Sequence, residues 1–179
     1  MTETTSPRRL SRRELLQRGT AIGTAFVVGV GFLAHADDAW AMETKGLSPA
    51  EMATLIQMAR DIYPHDKIAD KFYAIAMKGH DEKAAKDAGY KALMTEGVAT
   101  LDNLAQGAGA PGYLGMGWEA DRVALLRQIE DSHFFQTIRG GLIVGLYNQK
   151  AVWPVFGYQG ESFSKGGYIN RGFNDISWL

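Results

Sequence analysis

A chain of 179 residues with 46% hydrophobic content has enough apolar material for one globular domain of ordinary size. Its net charge of −1 and the lack of a basic stripe leave no footprint for nucleic acid, so no nucleic-acid partner is expected. The absence of cysteine excludes disulfides, thiolate nucleophiles, c-type haem attachment and cysteine-ligated iron–sulfur or zinc sites, leaving four histidines as possible ligands.

Residues 1–41 read as an export signal. Arg8, Arg9, Arg12, Arg13 and Arg18 make a basic start, and Thr20 to Ala34 is a moderately apolar, Gly-rich run. Ala39-Trp40-Ala41 supplies the small-x-small cleavage pattern, with Met42 as the expected mature N-terminus. As a helix the apolar run would span only about 22 Å, short of a bilayer core of about 30 Å, so a membrane span is not expected. Ser11-Arg12-Arg13-Glu14-Leu15-Leu16-Gln17 resembles the twin-arginine signature, with Leu15 in the usual Phe position and Gln17 in place of the usual Lys. An ordinary secretory signal with paired arginines is the plainer alternative. The twin-arginine route carries proteins already folded in the cytoplasm, commonly with a cofactor or a cofactor-bearing partner. This chain has no GxGxxG, P-loop, CxxCH or HExxH motif of its own, which points to a passenger that escorts a loaded partner.

The mature part, 42–152, reads as an all-α small helical bundle. Ser48-Pro49-Ala50-Glu51 is a capping box with Pro at the first helical position, followed by Met52, Leu55, Ile56, Ala59, Ile62 and Tyr63 at helical spacing, until Pro64. A short second helix is expected from about Asp66 to Lys78, capped by Asp66, with Ile68, Phe72, Ile75 and Ala76 inward. A third is expected over about 81–105, its early part a solvated charged face, with Tyr90, Leu93, Val98, Leu101 and Leu104 as its apolar stripe. After a Gly-rich connector, 107–117, a fourth helix starts near Trp118 with Glu119 and Asp121 in its first turn, where the helix dipole favours negative charge. It runs close to Phe134-Phe135, and Gln136 to Tyr147 follows or continues it. Gly140, Gly141 and Gly145 weaken that last helix by up to about 1 kcal/mol each, tolerable if a backbone or a bulky ring packs closely there.

The tail, 153–179, is different. Large aromatics recur with no helical or strand period, among glycines and Pro154. Each aromatic buried contributes on the order of 1.5–3 kcal/mol, so this segment must lie against something. Either it packs back on its own domain or part of it docks on another protein, where aromatics and Arg are common anchors. The candidate partner-binding residues are Phe156, Tyr158, Phe163, Tyr168, Arg171, Phe173, Asp175 and Trp178. Polar groups such as Tyr168, Arg171 and Asp175 are costly to bury unpaired, which favours an interface that supplies partners.

Few residues suggest chemistry. Asp61, His65 and Asp66 cluster in sequence, with His80 further on, and carboxylate with imidazole suits a metal or acid–base work. Pro64 separates Asp61 from His65, so they need not share a face. His133, beside Glu130 and Asp131, reads as a helix-surface or satisfied core histidine. No catalytic, cofactor-binding or metal residue is therefore assigned.

Taken together, the chain resembles the small (gamma) subunits of membrane-associated flavin-dependent dehydrogenases, the family named for subunit 3 of gluconate 2-dehydrogenase. The resemblance rests on SRRELL at 11–16, on the first mature helix running into Asp61-Ile62-Tyr63-Pro64, and on a helix ending at His133-Phe134-Phe135. Its most specific part is the tail, FGYQGESFSKGGYINRGFNDISWL. It implies a non-catalytic small subunit that binds no cofactor itself. The subunit would fold with an FAD-dependent catalytic subunit of the glucose–methanol–choline type and take it to the periplasm through the twin-arginine translocase. A cytochrome c subunit is the implied electron acceptor. Two other readings remain: an independent periplasmic metal-dependent enzyme using the Asp61/His65 region, and a small periplasmic ligand-binding protein.

Overall fold

The computed structural model describes residues 26–29, 32–35, 40–170 and 173, with side-chain surroundings from Met42 onward. Arg12, Arg13, Leu15, Leu16, Ala39, Arg171, Asp175 and Trp178 lie outside the described residues. The described body is helical. Helices α1 (Pro49–Ile62), α2 (Asp70–Ala84), α3 (Ala88–Gly107), α4 (Glu119–Gln128) and α5 (His133–Tyr147) are joined by short connections, with 3-10 turns at Tyr113–Gly115, Trp153–Phe156 and Phe163–Lys165.

Helix α1 is the hub. The capping box forms as expected: Ser48 Oγ accepts from the Glu51 N–H at 3.2 Å, and the Glu51 carboxylate accepts from the Ser48 N–H at 2.6 Å. Met52, Ala53, Leu55, Ile56, Met58 and Ala59 are all buried, as are Thr54 and Gln57, so α1 is covered nearly all round. Helices α2, α3, α4 and α5 all pack against it.

The second helix begins at Asp70, and Ala69, not Asp66, stands at its N-cap. The cause is Arg60 of α1, whose guanidinium donates to the Ile68 carbonyl at 3.2 Å and pairs with Asp70 at 2.5 Å. This holds 64–69 as an extended turn with Ile68 buried and Asp66 exposed. Ala76 faces inward as expected, together with Tyr73, Ala74 and Met77, whereas Ile75 is exposed, contrary to expectation. The third helix also starts later, with Asp87 as its N-cap. Asp81 therefore belongs to α2, and it is not on a solvated face. It is 1% exposed, and its carboxylate accepts the consecutive backbone N–H groups of Lys45, Gly46 and Leu47, each at 2.9 Å. Gly46 lies so close to the end of α2 that a Cβ there would stand 2.2 Å from the Ala85 nitrogen. Only glycine fits.

The fourth helix stops at Gln128, short of the expected run to Phe134-Phe135. His133-Phe134-Phe135 opens α5 instead of ending its predecessor, because Ser132 caps the Phe135 N–H. Phe134 then buries its ring on Gly97 of α3, where a Cβ would come within 2.2 Å. Two glycines of α5 are explained the same way: a Cβ at Gly145 would meet the Ala76 backbone at 3.3 Å, and one at Gly141 the His80 ring at 2.6 Å. Gly140 faces open space.

Three short strands precede the bundle, the first and most of the second in the run Thr20–Ala34 read as the apolar part of a leader. β1 (Phe26–Gly29), β2 (Phe32–His35) and β3 (Trp40–Glu43) form an antiparallel meander, with Gly29 opposite Phe32 and Ala34 opposite Ala41. β1 and β2 run against α1. The run is rich in Val and Phe, residues that favour strands, and its glycines punctuate it.

Candidate functional site

Helix α5 carries two apolar faces. Phe134, Ile138, Leu142 and Leu146 recur at four-residue spacing and are buried in the core. Ile143 and Val144 lie off that stripe and are 53% and 65% exposed. Just past the helix, Val152 is fully buried, and it roots the tail on the bundle. The 3-10 turn Trp153–Phe156 follows, and Gly157 at φ 73° reverses the chain so that the Tyr158 N–H reaches the Trp153 carbonyl. Trp153 donates from Nε1 to the Tyr147 carbonyl at 2.9 Å, and its ring meets Tyr158 edge-on at 5.0 Å. The result is an open apolar groove of about 500 Å³ between α5 and the root of the tail, lined by Ile143, Val144, Tyr147, Trp153, Phe156 and Tyr158.

The same root rests on the turn after α1. His65 Nε2 shares a 2.8 Å hydrogen bond with the Tyr147 hydroxyl, and its ring lies edge-on to Phe156 at 5.2 Å. Burial, helped by neighbouring Tyr63, raises the Tyr147 pKa, so its hydroxyl stays protonated. His65 thus has a packing role at the tail root.

Beyond Tyr158 the tail leaves the body. A second 3-10 turn, Phe163–Lys165, is closed by Gly166 at φ 83°. Lys165 Nζ reaches back to the Gln159 carbonyl, and Lys150 pairs with Glu161 at 3.8 Å. Those local bonds shape the segment without covering its apolar groups. Phe163 is 94% exposed, Ile169 and Phe173 both 81%, and Tyr168 70%. Of the expected partner-binding residues, Phe156 and Tyr158 stand half-buried in the groove wall, and Phe163, Tyr168 and Phe173 project outward.

Asp61 and His65 do not form a joint site. The Asp61 carboxylate is 5% exposed and fully engaged. Arg122 grips it along one edge of its guanidinium, Nε to Oδ2 at 2.7 Å and Nη2 to Oδ1 at 3.0 Å. The Tyr113 hydroxyl donates to Oδ2 at 2.8 Å and Gln57 to Oδ1 at 3.0 Å. Burial and the adjacent Asp61 charge push the Tyr113 hydroxyl far up, so it remains a donor. His80 is buried under Gly141, shares a hydrogen bond with the Tyr90 hydroxyl and stacks on that ring. Burial, with Lys83 adding to it, pushes its pKa down to about 4. His133 is exposed on the surface of α5. Among the described residues, no three His, Asp or Glu side chains come together as a metal site, and no helix is long and apolar enough to cross a membrane.

The groove itself escaped the sequence reading. Its signal was present: Ile143 and Val144 add apolar residues outside the stripe that Leu142 and Leu146 already supply to the core. No protein-family model, curated protein or solved structure matches this chain.

Proposed function

We propose that this chain is a non-catalytic small subunit that escorts and stabilises a periplasmic FAD-dependent dehydrogenase of the glucose–methanol–choline type, exported together with it through the twin-arginine pathway. The observation that carries the reading is the exposure of Phe163, Tyr168, Ile169 and Phe173 in a tail whose root forms an apolar groove on a body with its own filled core. Several large exposed apolar side chains within one short segment favour a binding role for it. Burying each such side chain on a partner is worth on the order of 1.5–3 kcal/mol before ordering costs. The export motif and the order of the tail residues supply the identity of the partner, and a cytochrome c subunit is the electron acceptor in this reading.

Affinity purification of the tagged full-length protein from native periplasm and membranes tests it. The expected result is a stoichiometric yellow partner with flavin absorbance, absent from the periplasm when Arg12 and Arg13 are both changed to Lys. The twin-arginine receptor contact needs the guanidinium fork and not merely positive charge. A chain that reaches the periplasm and purifies alone would sink the reading.

A further inference from the structure

The groove beside α5 restricts the kind of segment that fills it. One wall is the helix, with Ile143, Val144 and Tyr147, and the other is the tail root, with Trp153, Phe156 and Tyr158. Neither wall offers backbone groups to a ligand. The helix pairs its own N–H and C=O groups, and the tail root uses its N–H groups in turns: Val155 on the Val152 carbonyl, Gly157 on Pro154 and Tyr158 on Trp153. An extended segment laid here would find no strand edge to pair with. A helix brings its backbone bonds with it and presents apolar side chains at i, i+3, i+4 and i+7. The charges on the two walls have one sign. Between Asp131 and Glu161 the chain carries Arg139 and Lys150 and no carboxylate. Arg139 is exposed one turn before Ile143 and makes no ion pair among the described residues. Lys150 stands 5.6 Å from the Trp153 ring centre with its side chain 76% exposed, and its loose surface pairing with Glu161 contributes little.

We propose that this groove takes an amphipathic helix of the catalytic subunit, one whose apolar edge is flanked by Asp and Glu. This inference rests on reading the chain as the small subunit of a flavoprotein. The partner's apolar side chains lie against Ile143, Val144 and Phe156, and its carboxylates meet Arg139 and Lys150. Asn148, exposed on the groove, offers a carboxamide to a polar group on the rim. A second copy of this chain fits less well, because α5 laid antiparallel on α5 would bring cations against cations. The groove fixes where the partner helix sits, and the tail beyond Tyr158 adds its own contacts.

Binding of the full-length chain to the purified flavoprotein, measured for Val144→Asp, Val144→Lys and Arg139→Glu, tests the inference. Both positions are exposed, so each variant should keep the helical circular dichroism and melting of the natural chain. Val144→Asp and Arg139→Glu should weaken binding at least about tenfold, and Val144→Lys should weaken it several-fold less than Val144→Asp. Added salt should narrow the gap between the two Val144 variants, because exposed charges are screened. Equal losses for Asp and Lys would overturn the acidic partner, and no loss in any of the three would overturn docking in the groove. If the flavoprotein is then still released by changing Phe163, Tyr168 and Phe173 to Ser, the small-subunit reading stands and only this inference falls. A natural chain that binds no flavoprotein overturns both. Two other results also overturn it. Val144→Asp that keeps the flavoprotein but releases the chain from vesicles of phosphatidylethanolamine and phosphatidylglycerol would make the groove a lipid contact. Val144→Asp that changes the sedimentation of the isolated chain would make it a contact between copies.

Discussion

The interior of the bundle and the tail break the usual burial rule in opposite directions. In the interior, a carboxylate and a guanidinium are buried, Asp61 at 5% and Arg122 at 6% exposure. In the tail, Phe163 stands at 94% exposure and Phe173 at 81%. The first violation is compensated within the chain: Arg122, Tyr113 and Gln57 supply every bond the Asp61 carboxylate needs, and Arg122 also donates to the Met116 carbonyl at 2.9 Å. The second has no compensation among the described residues. A buried charge must find its partners during folding, because leaving water unpaired costs several kcal/mol. An exposed ring leaves no polar group unpaired, so it carries no such requirement during folding. The buried charges of the bundle are thus paired among its own residues, whereas those rings of the tail are not covered by any described residue.

The largest expected effect comes from breaking the compensation. Arg122→Ala strands the Asp61 charge and should lower unfolding stability by about 3–5 kcal/mol, measured by denaturant titration of helical circular dichroism. Changing Asp61 to Leu and Arg122 to Met together should recover much of that loss, since neither charge is then left alone. A double variant as unstable as the single one would mean the pair does more than compensate itself.

Next comes His80, a core base held neutral by burial. Its pKa in the folded chain, about 4, lies below the ordinary 6.5, so between those values the unfolded chain binds more protons. Its stabilising contribution is present at pH 7 and is lost as pH falls from about 6.5 towards 4, by an amount on the order of 2–3 kcal/mol. His80→Gln should flatten that part of the stability–pH curve. An unchanged slope would place the acid sensitivity elsewhere.

Glycine substitutions sharpen the contrast at smaller scale. Gly97→Ala drives a methyl into the Phe134 ring and should cost about 1–3 kcal/mol in denaturant titrations, whereas Gly140→Ala meets open space and should stabilise α5 by up to about 1 kcal/mol. If both destabilise equally, helix propensity and not close packing governs these sites.

The smallest effect on stability belongs to the tail. Changing Phe163, Tyr168 and Phe173 together to Ser should change the unfolding free energy by no more than about 0.5 kcal/mol per site, while abolishing co-purification of the proposed flavoprotein. Deletion must begin after Tyr158, because Phe156 packs on His65 and Tyr147 and Tyr158 packs on Trp153. A truncation after Tyr158 that unfolds the bundle would make the segment an intramolecular cover.

Much of the bundle was legible in the residues. Ser48, Pro49 and Glu51 define the start of α1, and the stripe from Met52 to Ala59 defines its buried face, because capping and periodicity are local properties. The shifted starts of α2 and α3 were not legible, since Arg60 and Asp81 act across the fold. Arg60 reaches Ile68 and Asp70 beyond the helix break, and Asp81 collects N–H groups from residues 34 to 36 positions earlier. Charge patterning treats such groups as solvated. Ser132 beside Ile129 was a readable helix break, obscured by the apolar residues on both sides.

By itself, the sequence determined the helical class of the body, the cap of its central helix and the aromatic, period-free character of the tail. All three depend on neighbours within a few positions along the chain. Only the tertiary structure decided that Asp61 is a core ion-pair partner separate from His65, and that Ile143 and Val144 join the tail root in one groove. It also decided that Asp81 holds Lys45, Gly46 and Leu47 ahead of α1. These depend on which distant groups meet, and folding brings them together through the burial of α1, a condition that no local pattern encodes.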